Sequence, residues 1–245
     1  MLAPTQAESK GRNRAIFGAA ALVAAGLCLV PLDASVRAVV YNLRIGGDFK
    51  RELEFLQQFG AVSSVVILII VVLLLDDTDR TIKWRRIADW IAAACLTGAT
   101  GHLLKIAIGR PRPLYNDSLY ICGPIGKYPV QLKDGSIGLI HAWDYGSGVA
   151  SELWSMPSSH AMAAASLAVA LTALYPRLRW LCLALVIIVC AARVLLGAHY
   201  PSDVFIGAGL GFGLASTAMN RRWGSRLASL IVPPPKSSPE AALPS

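Results

Sequence analysis

Residues 59–75 read FGAVSSVVILIIVVLLL, seventeen positions without a charge, closed by Asp76 and Asp77. As an α-helix this run is about 26 Å long at 1.5 Å per residue, close to the ~30 Å hydrocarbon core of a bilayer. It has no charged stripe to turn toward water, so it reads as a membrane span rather than a surface helix. In lipid the backbone must pair within its own segment, which selects the helix.

Working outward, five more apolar runs of similar length lie at about 15–31, 87–104, 159–175, 180–197 and 203–220. The chain of 245 residues is 55% hydrophobic and 16% charged, against about a quarter charged in soluble domains. That is too little charge to coat a water-facing surface, and too much apolar content for disorder. The expected fold is all-α, a polytopic membrane protein with about six transmembrane helices and its active site at their outer ends. A short tail (1–14) precedes the six-span domain (15–220), which holds one long outer loop at about 114–156. The C-terminal segment (221–245) is Pro-rich from Pro233 on and is expected to be disordered at its end.

Net charge is +8. In a soluble protein this would suggest nucleic acid; here cytoplasmic loops and an anion site account for it, and no nucleic-acid partner is expected. Lys10, Arg12 and Arg14 precede the first run. Arg80, Lys83, Arg85 and Arg86 lie between the second and third, and Arg177 and Arg179 after the fourth. Arg221, Arg222, Arg226 and Lys236 follow the last. Six spans put all of these on one side, with both termini cytoplasmic and the long loop facing the periplasm or exterior of the cell membrane. The basic start resembles a signal peptide, but no A-x-A site follows, so the first run is kept as a span. In the 32–58 connection, Val36, Val39, Val40 and Leu43 recur at helical spacing, which predicts a short helix on the membrane surface. Cys28, Cys95, Cys182 and Cys190 read as small buried hydrophobes, and Cys122 stands alone in a polar loop. With no Cys/His ligand cluster, neither a metal site nor a cofactor is expected.

Charge near a span needs a reason. Lys105 ends the third run, His160 opens the fourth, Arg193 ends the fifth, His199 follows it, and Asp203 opens the sixth. Hydropathy and loop charge alone thus bring five chemically active groups to the outer ends of spans. Lys105 and Arg112 are seven apart, where a helix runs into a turn broken by Pro111 and Pro113. Pro157-Ser158-Ser159-His160 is a turn entering a helix, whose free N–H groups favour an anion. Pro201 suits the first helical position, which puts Asp203 in the first turn. Three cations, a helix start, two imidazoles and a carboxylate on one face suit a phosphate group.

These three segments resemble the signature of the type 2 phosphatidic acid phosphatase and vanadium haloperoxidase superfamily: Lys105, six residues, Arg112-Pro113; Pro157-Ser158-Ser159-His160; and Ala192-Arg193, five residues, His199, three residues, Asp203. Order and spacing match, and the resemblance covers about residues 15–220. Ser159 stands where the family has Gly, and Ala192 where it has Ser. The resemblance implies that His199 is a nucleophile forming a phosphohistidine, that Asp203 orients it, and that His160 is the general acid and then the base. It further implies that Lys105, Arg112, Arg193, Ser158 and Ser159 bind phosphate without metal. The expected activity is hydrolysis of a lipid phosphate or diphosphate (undecaprenyl diphosphate, phosphatidylglycerophosphate, phosphatidate or a lipid A phosphate), with substrate and membrane lipids as partners and the oligomeric state left open. A non-catalytic lipid-phosphate binder or transporter is the alternative; two His and an Asp argue against it. Vanadate-dependent halide oxidation is a third reading, which the spans disfavour.

Other polar residues take plainer readings. Arg110 is expected to face headgroups or solvent, and His102 to be a buried structural residue. Gly207, Gly209, Gly211 and Gly213 imitate a dinucleotide fingerprint but read as close helix packing. Trp90, Trp154, Trp180 and Trp223 read as interfacial anchors, and His141, Trp143 and Asp144 as parts of a solvated loop.

Overall fold

The computed structural model describes residues 6–231; the expected disordered tail from Pro233 and the charge of Lys236 lie outside the described residues. The chain is a helical bundle. Helix α1 (Gln6–Leu29) continues through a 3₁₀ turn at Val30–Leu32 into α2 (Asp33–Leu43), and α3 (Gly47–Leu56) follows. Next come α4 (Val62–Leu75), α5 (Arg80–Ile108), α6 (Ser159–Leu174), α7 (Arg179–Leu195), α8 (Pro201–Asn220) and α9 (Trp223–Ile231).

All six apolar runs are helical, but they are not six equal spans. Among the described residues, four helical stretches are long and apolar enough to cross a bilayer: Asn13–Leu43, Arg80–Ile108, Pro176–Leu195 and Pro201–Asn220. The run that opened the sequence reading is split: Gly47–Gly60 and Val62–Leu75 meet at 59° and together make one broken span. The sixth, Ser159–Leu174, is apolar but shorter. The segment expected as a separate surface helix is instead continuous with the first span, since Pro31 occupies a position in the 3₁₀ turn where its missing N–H costs nothing.

Helix α8 is central, packing on α1, α5, α6 and α7. Its glycines set the distance. A Cβ on Gly207 would meet the Ser158 carbonyl at 2.7 Å, and one on Gly211 would overlap the Met162 carbonyl, both on the α6 side. On the other side, Gly209 and Gly213 face Ala19 at 3.0 and 2.8 Å. Residues four apart thus share a face, and each pair lets a different neighbour approach.

The site end and the basic end are opposite. Arg110, just past the end of α5, bonds Ser202 at the start of α8. At the far end, Ser225 of α9 bonds Asp89 near the start of α5. Antiparallel neighbours therefore gather the C-terminal ends of α5 and α7 with the starts of α6 and α8. Arg80, Lys83, Arg85 and Arg86 fall at the other end with Arg177, Arg179, Arg221 and Arg222.

The long loop between α5 and α6 carries structure of its own: an antiparallel hairpin of β1 (Tyr128–Gln131) and β2 (Ile137–Ile140), turned at Asp134-Gly135, and several 3₁₀ turns. Its small core contains Cys122, Tyr128, Val130, Ile140, Ala142 and Leu153. Cys122 is therefore buried, whereas Cys28 and Cys95, read as buried hydrophobes, are exposed. Trp90 is fully buried in a core cluster with Ile87 and Leu167, so it is no interfacial anchor. His102 is exposed, its Nε2 2.6 Å from the Tyr145 hydroxyl. His141 is tied to the Gly126 carbonyl and stacked on Trp143.

Candidate active site

Each site residue sits where a helix begins or stops. Helix α5 ends at Gly109, whose φ of +60° closes the helix by a bond from its N–H to the Lys105 carbonyl. Lys105 thus lies in the last turn, and Arg110 and Arg112 leave on the irregular segment beyond. Helix α7 ends in a similar way: Gly197 has φ +65°, and the loop folds back so that the N–H groups of Ala198 and His199 both reach the Arg193 carbonyl, at 3.1 and 3.2 Å. Pro201 opens α8, as its fixed φ favours, and the Asp203 carboxylate turns back to accept the Tyr200 N–H at 2.9 Å.

His199 is 3% exposed and Asp203 fully buried. The His199 Nδ1 lies 2.7 Å from the Ser155 carbonyl. A carbonyl only accepts, so Nδ1 carries the proton and Nε2 keeps a free lone pair. Asp203 Oδ2 is 3.6 Å from the same nitrogen, too far for a hydrogen bond. It is instead engaged by the Ser155 hydroxyl at 2.5 Å. Ser155, absent from the sequence reading, therefore contacts both members of the expected pair. Burial, helped by the charges of Lys105 and Arg193, holds the His199 imidazole far below its ordinary 6.5, down to about 3, against the pull of Asp203. The ring is neutral at physiological pH.

Two of the three cations, Lys105 and Arg193, act electrostatically on this ring. Lys105, 6% exposed, donates to the Trp154 carbonyl. Arg112 donates to the carbonyls of Ser151 (2.9 Å) and Ala198 (3.2 Å). Arg193 donates to the side chain of Gln57, in the 3₁₀ turn just before the break of the bent span. The three charges act electrostatically on one another and on His160, half-buried at the start of α6.

Among the described residues, three buried side-chain polar atoms have no partner: Ser158 Oγ, Arg193 Nε and Tyr200 Oη. Two belong to residues expected to hold phosphate. Ser158 precedes α6 without capping it, while its backbone N–H donates to the Asp203 carbonyl at 3.1 Å. The structure does not bring Ser159 into this group: its side chain is exposed and lines an apolar groove between α5 and α6. Ala192 is fully buried.

Arg110 corrects the sequence reading most sharply. It faces neither headgroups nor solvent. It is 1% exposed, bonded at 2.7 Å to Asp33 and at 2.6 Å to Asp203. Asp33 carried no signal, because its partner is 77 positions away and only folding joins them. Gln57 and the carbonyls of 151–155 were equally silent.

The model of the PAP2 superfamily matches residues 86–226. A lipid A 1-phosphatase of Rhizobium etli is 36% identical over 129 residues, 51% of this chain and 46% of the relative. One from Rhizobium johnstonii is 31% identical over 131 residues, 51% and 44%. The chain thus spans about half the length of these curated relatives. A solved transmembrane PAP2 type phosphatidylglycerolphosphate phosphatase from Bacillus subtilis is 18% identical, covering 82% of this chain and 94% of its own, with a TM-score of 0.48. The matched residues run from α5, which carries Lys105, past Asp203 in α8, and they make up more than half of the sequence; the chain belongs to the PAP2 superfamily.

Proposed function

We propose that this protein is an integral membrane phosphatase that removes phosphate from a lipid phosphate or diphosphate, at the outer face and without metal. The observation that carries the reading is the geometry around His199. Its Nδ1–H is fixed on the Ser155 carbonyl and its Nε2 is free, beside three cations and the unpartnered Ser158 hydroxyl and Arg193 Nε. A bound phosphate offers acceptors to both of those unmatched donors.

In this reading Nε2 attacks phosphorus as the bond to the lipid oxygen breaks, and His160 protonates the leaving oxygen. His160 then takes a proton from water, whose oxygen attacks the phosphohistidine and releases inorganic phosphate and His199. Lys105, Arg112, Arg193 and Ser158 hold the equatorial oxygens, where charge gathers in transfer. The tail has a path: the groove of about 240 Å³ that starts at Ser159 descends past Gly101, Met162 and Gly98 to Trp90 and Leu167. The likeness to the two Rhizobium lipid A 1-phosphatases supports a lipid A phosphate ahead of phosphatidylglycerophosphate, phosphatidate and undecaprenyl diphosphate as the substrate. The basic residues at the opposite end support an outward-facing site.

The test is release of inorganic phosphate by the purified protein from a panel of lipid phosphates in EDTA. Turnover is expected, and His199→Ala should abolish it. No turnover with any member would overturn the reading in favour of a binder; loss of turnover in EDTA alone would overturn its metal-independence.

A further inference from the structure

Arg110 has five N–H groups, and all five are used. Nε and Nη2 donate to the Ser118 carbonyl, Nη2 also to Asp33 Oδ2, and Nη1 to Ser202 Oγ at 2.8 Å and Asp203 Oδ1 at 2.6 Å. The Tyr200 ring covers one face, its centroid 4.4 Å from Cζ. No donor is left for a phosphate, which separates Arg110 from Arg112 two positions on. Asp33 accepts in addition from the Ser202 N–H at 3.1 Å and from the Ser202 hydroxyl.

This is a buried row of one guanidinium between two carboxylates, with a net charge of −1. Alone beside Asp203, Arg110 would cancel the carboxylate that faces His199. Asp33 draws on the other half of the guanidinium, so negative charge remains on Asp203 near Nδ1. That charge matters when Nε2 bonds phosphorus and the ring becomes cationic. We propose that Asp33 and Arg110 are positioning residues for the nucleophile: Arg110 clamps one oxygen of Asp203, and Asp33 offsets the guanidinium so that Asp203 keeps its charge for His199. The inference rests on His199 being the nucleophile. Asp33 lies outside the residues matched by the family model, so the family match assigns it nothing.

The experiment compares the full-length protein with Asp33→Asn, Arg110→Gln, the double variant and His199→Ala, in detergent micelles containing phosphatidate or a lipid A phosphate, with kcat expressed per monodisperse protein. Each single variant should lower kcat about 10- to 100-fold with KM within about twofold, because neither residue touches phosphate. The double variant should be no slower than Arg110→Gln alone, because Asp33 acts through Arg110. Folded single variants with wild-type kcat, a raised KM at constant kcat, or a further loss in the double variant would each overturn the proposal. If Asp33→Asn does not fold, Ser202→Ala decides: it removes a hydroxyl bonded to both partners and should cut kcat about threefold or more at unchanged KM, and an unchanged kcat would overturn the proposal. Should His199→Ala itself turn over normally, the proposed function fails instead, whatever Asp33 does.

Discussion

Ser158 and His199 show opposite balances between stability and chemistry. The Ser158 hydroxyl is buried without a partner, which costs a folded protein about 1–3 kcal/mol. Ser158→Ala removes that orphan along with the proposed donor to phosphate. The variant is expected to unfold at the same or a higher temperature while losing about 10- to 100-fold in kcat/KM; thermal unfolding and steady-state kinetics on one preparation check both. His199 is stabilised as the neutral form. The folded protein resists protonating it down to about 3, whereas the unfolded chain takes the proton near 6.5. Between these values the unfolded state binds more protons, so stability falls as pH drops from 6.5 toward 3. Unfolding temperatures in detergent across that window should decline, and His199→Gln should flatten the slope; an unchanged slope would show that this imidazole does not set it.

At the scale of elements, the glycines of α8 and α5 make a controlled comparison. A Cβ on Gly211 would overlap the Met162 carbonyl, which backbone cannot easily give, whereas one on Gly98 would meet nothing within 4 Å. Gly211→Ala should therefore lower the unfolding temperature and separate α8 from α6. Gly98→Ala should hold or raise it, by up to about 1 kcal/mol of helix preference; equal effects would refute the packing argument. The same elements show what was legible. Spans announce themselves because hydropathy is local, and the spacings from Lys105 to Arg112 and from His199 to Asp203 survive folding because short segments fix them. The break at Gly60-Ala61 was not legible: a Cβ on Gly60 would overlap the His160 carbonyl, a contact made 100 positions away. Nor was the place of Arg110 legible: its side chain turns inward because Asp33 and Asp203, far away in sequence, receive it.

Across the whole molecule, the candidate site and the basic segments around Arg80–Arg86, Arg177, Arg179, Arg221 and Arg222 lie at opposite ends. In a background without native cysteines, Asp134→Cys on the hairpin should react with a membrane-impermeant maleimide on intact cells. Arg177→Cys should react only after permeabilisation. The reverse pattern would invert the orientation inferred from the basic residues. The hairpin loop adds a dependence of another kind. Between Ser151 and Ser155, three main-chain oxygens meet Arg112, Lys105 and His199 in turn. Main-chain oxygens are indifferent to which side chain is attached to them. The segment thus works as a jig: apart from Ser155, whose hydroxyl also holds Asp203, and Leu153, buried in the loop core, its length and path matter more than its letters, so removing a single residue there should misalign two cations and an imidazole in one stroke.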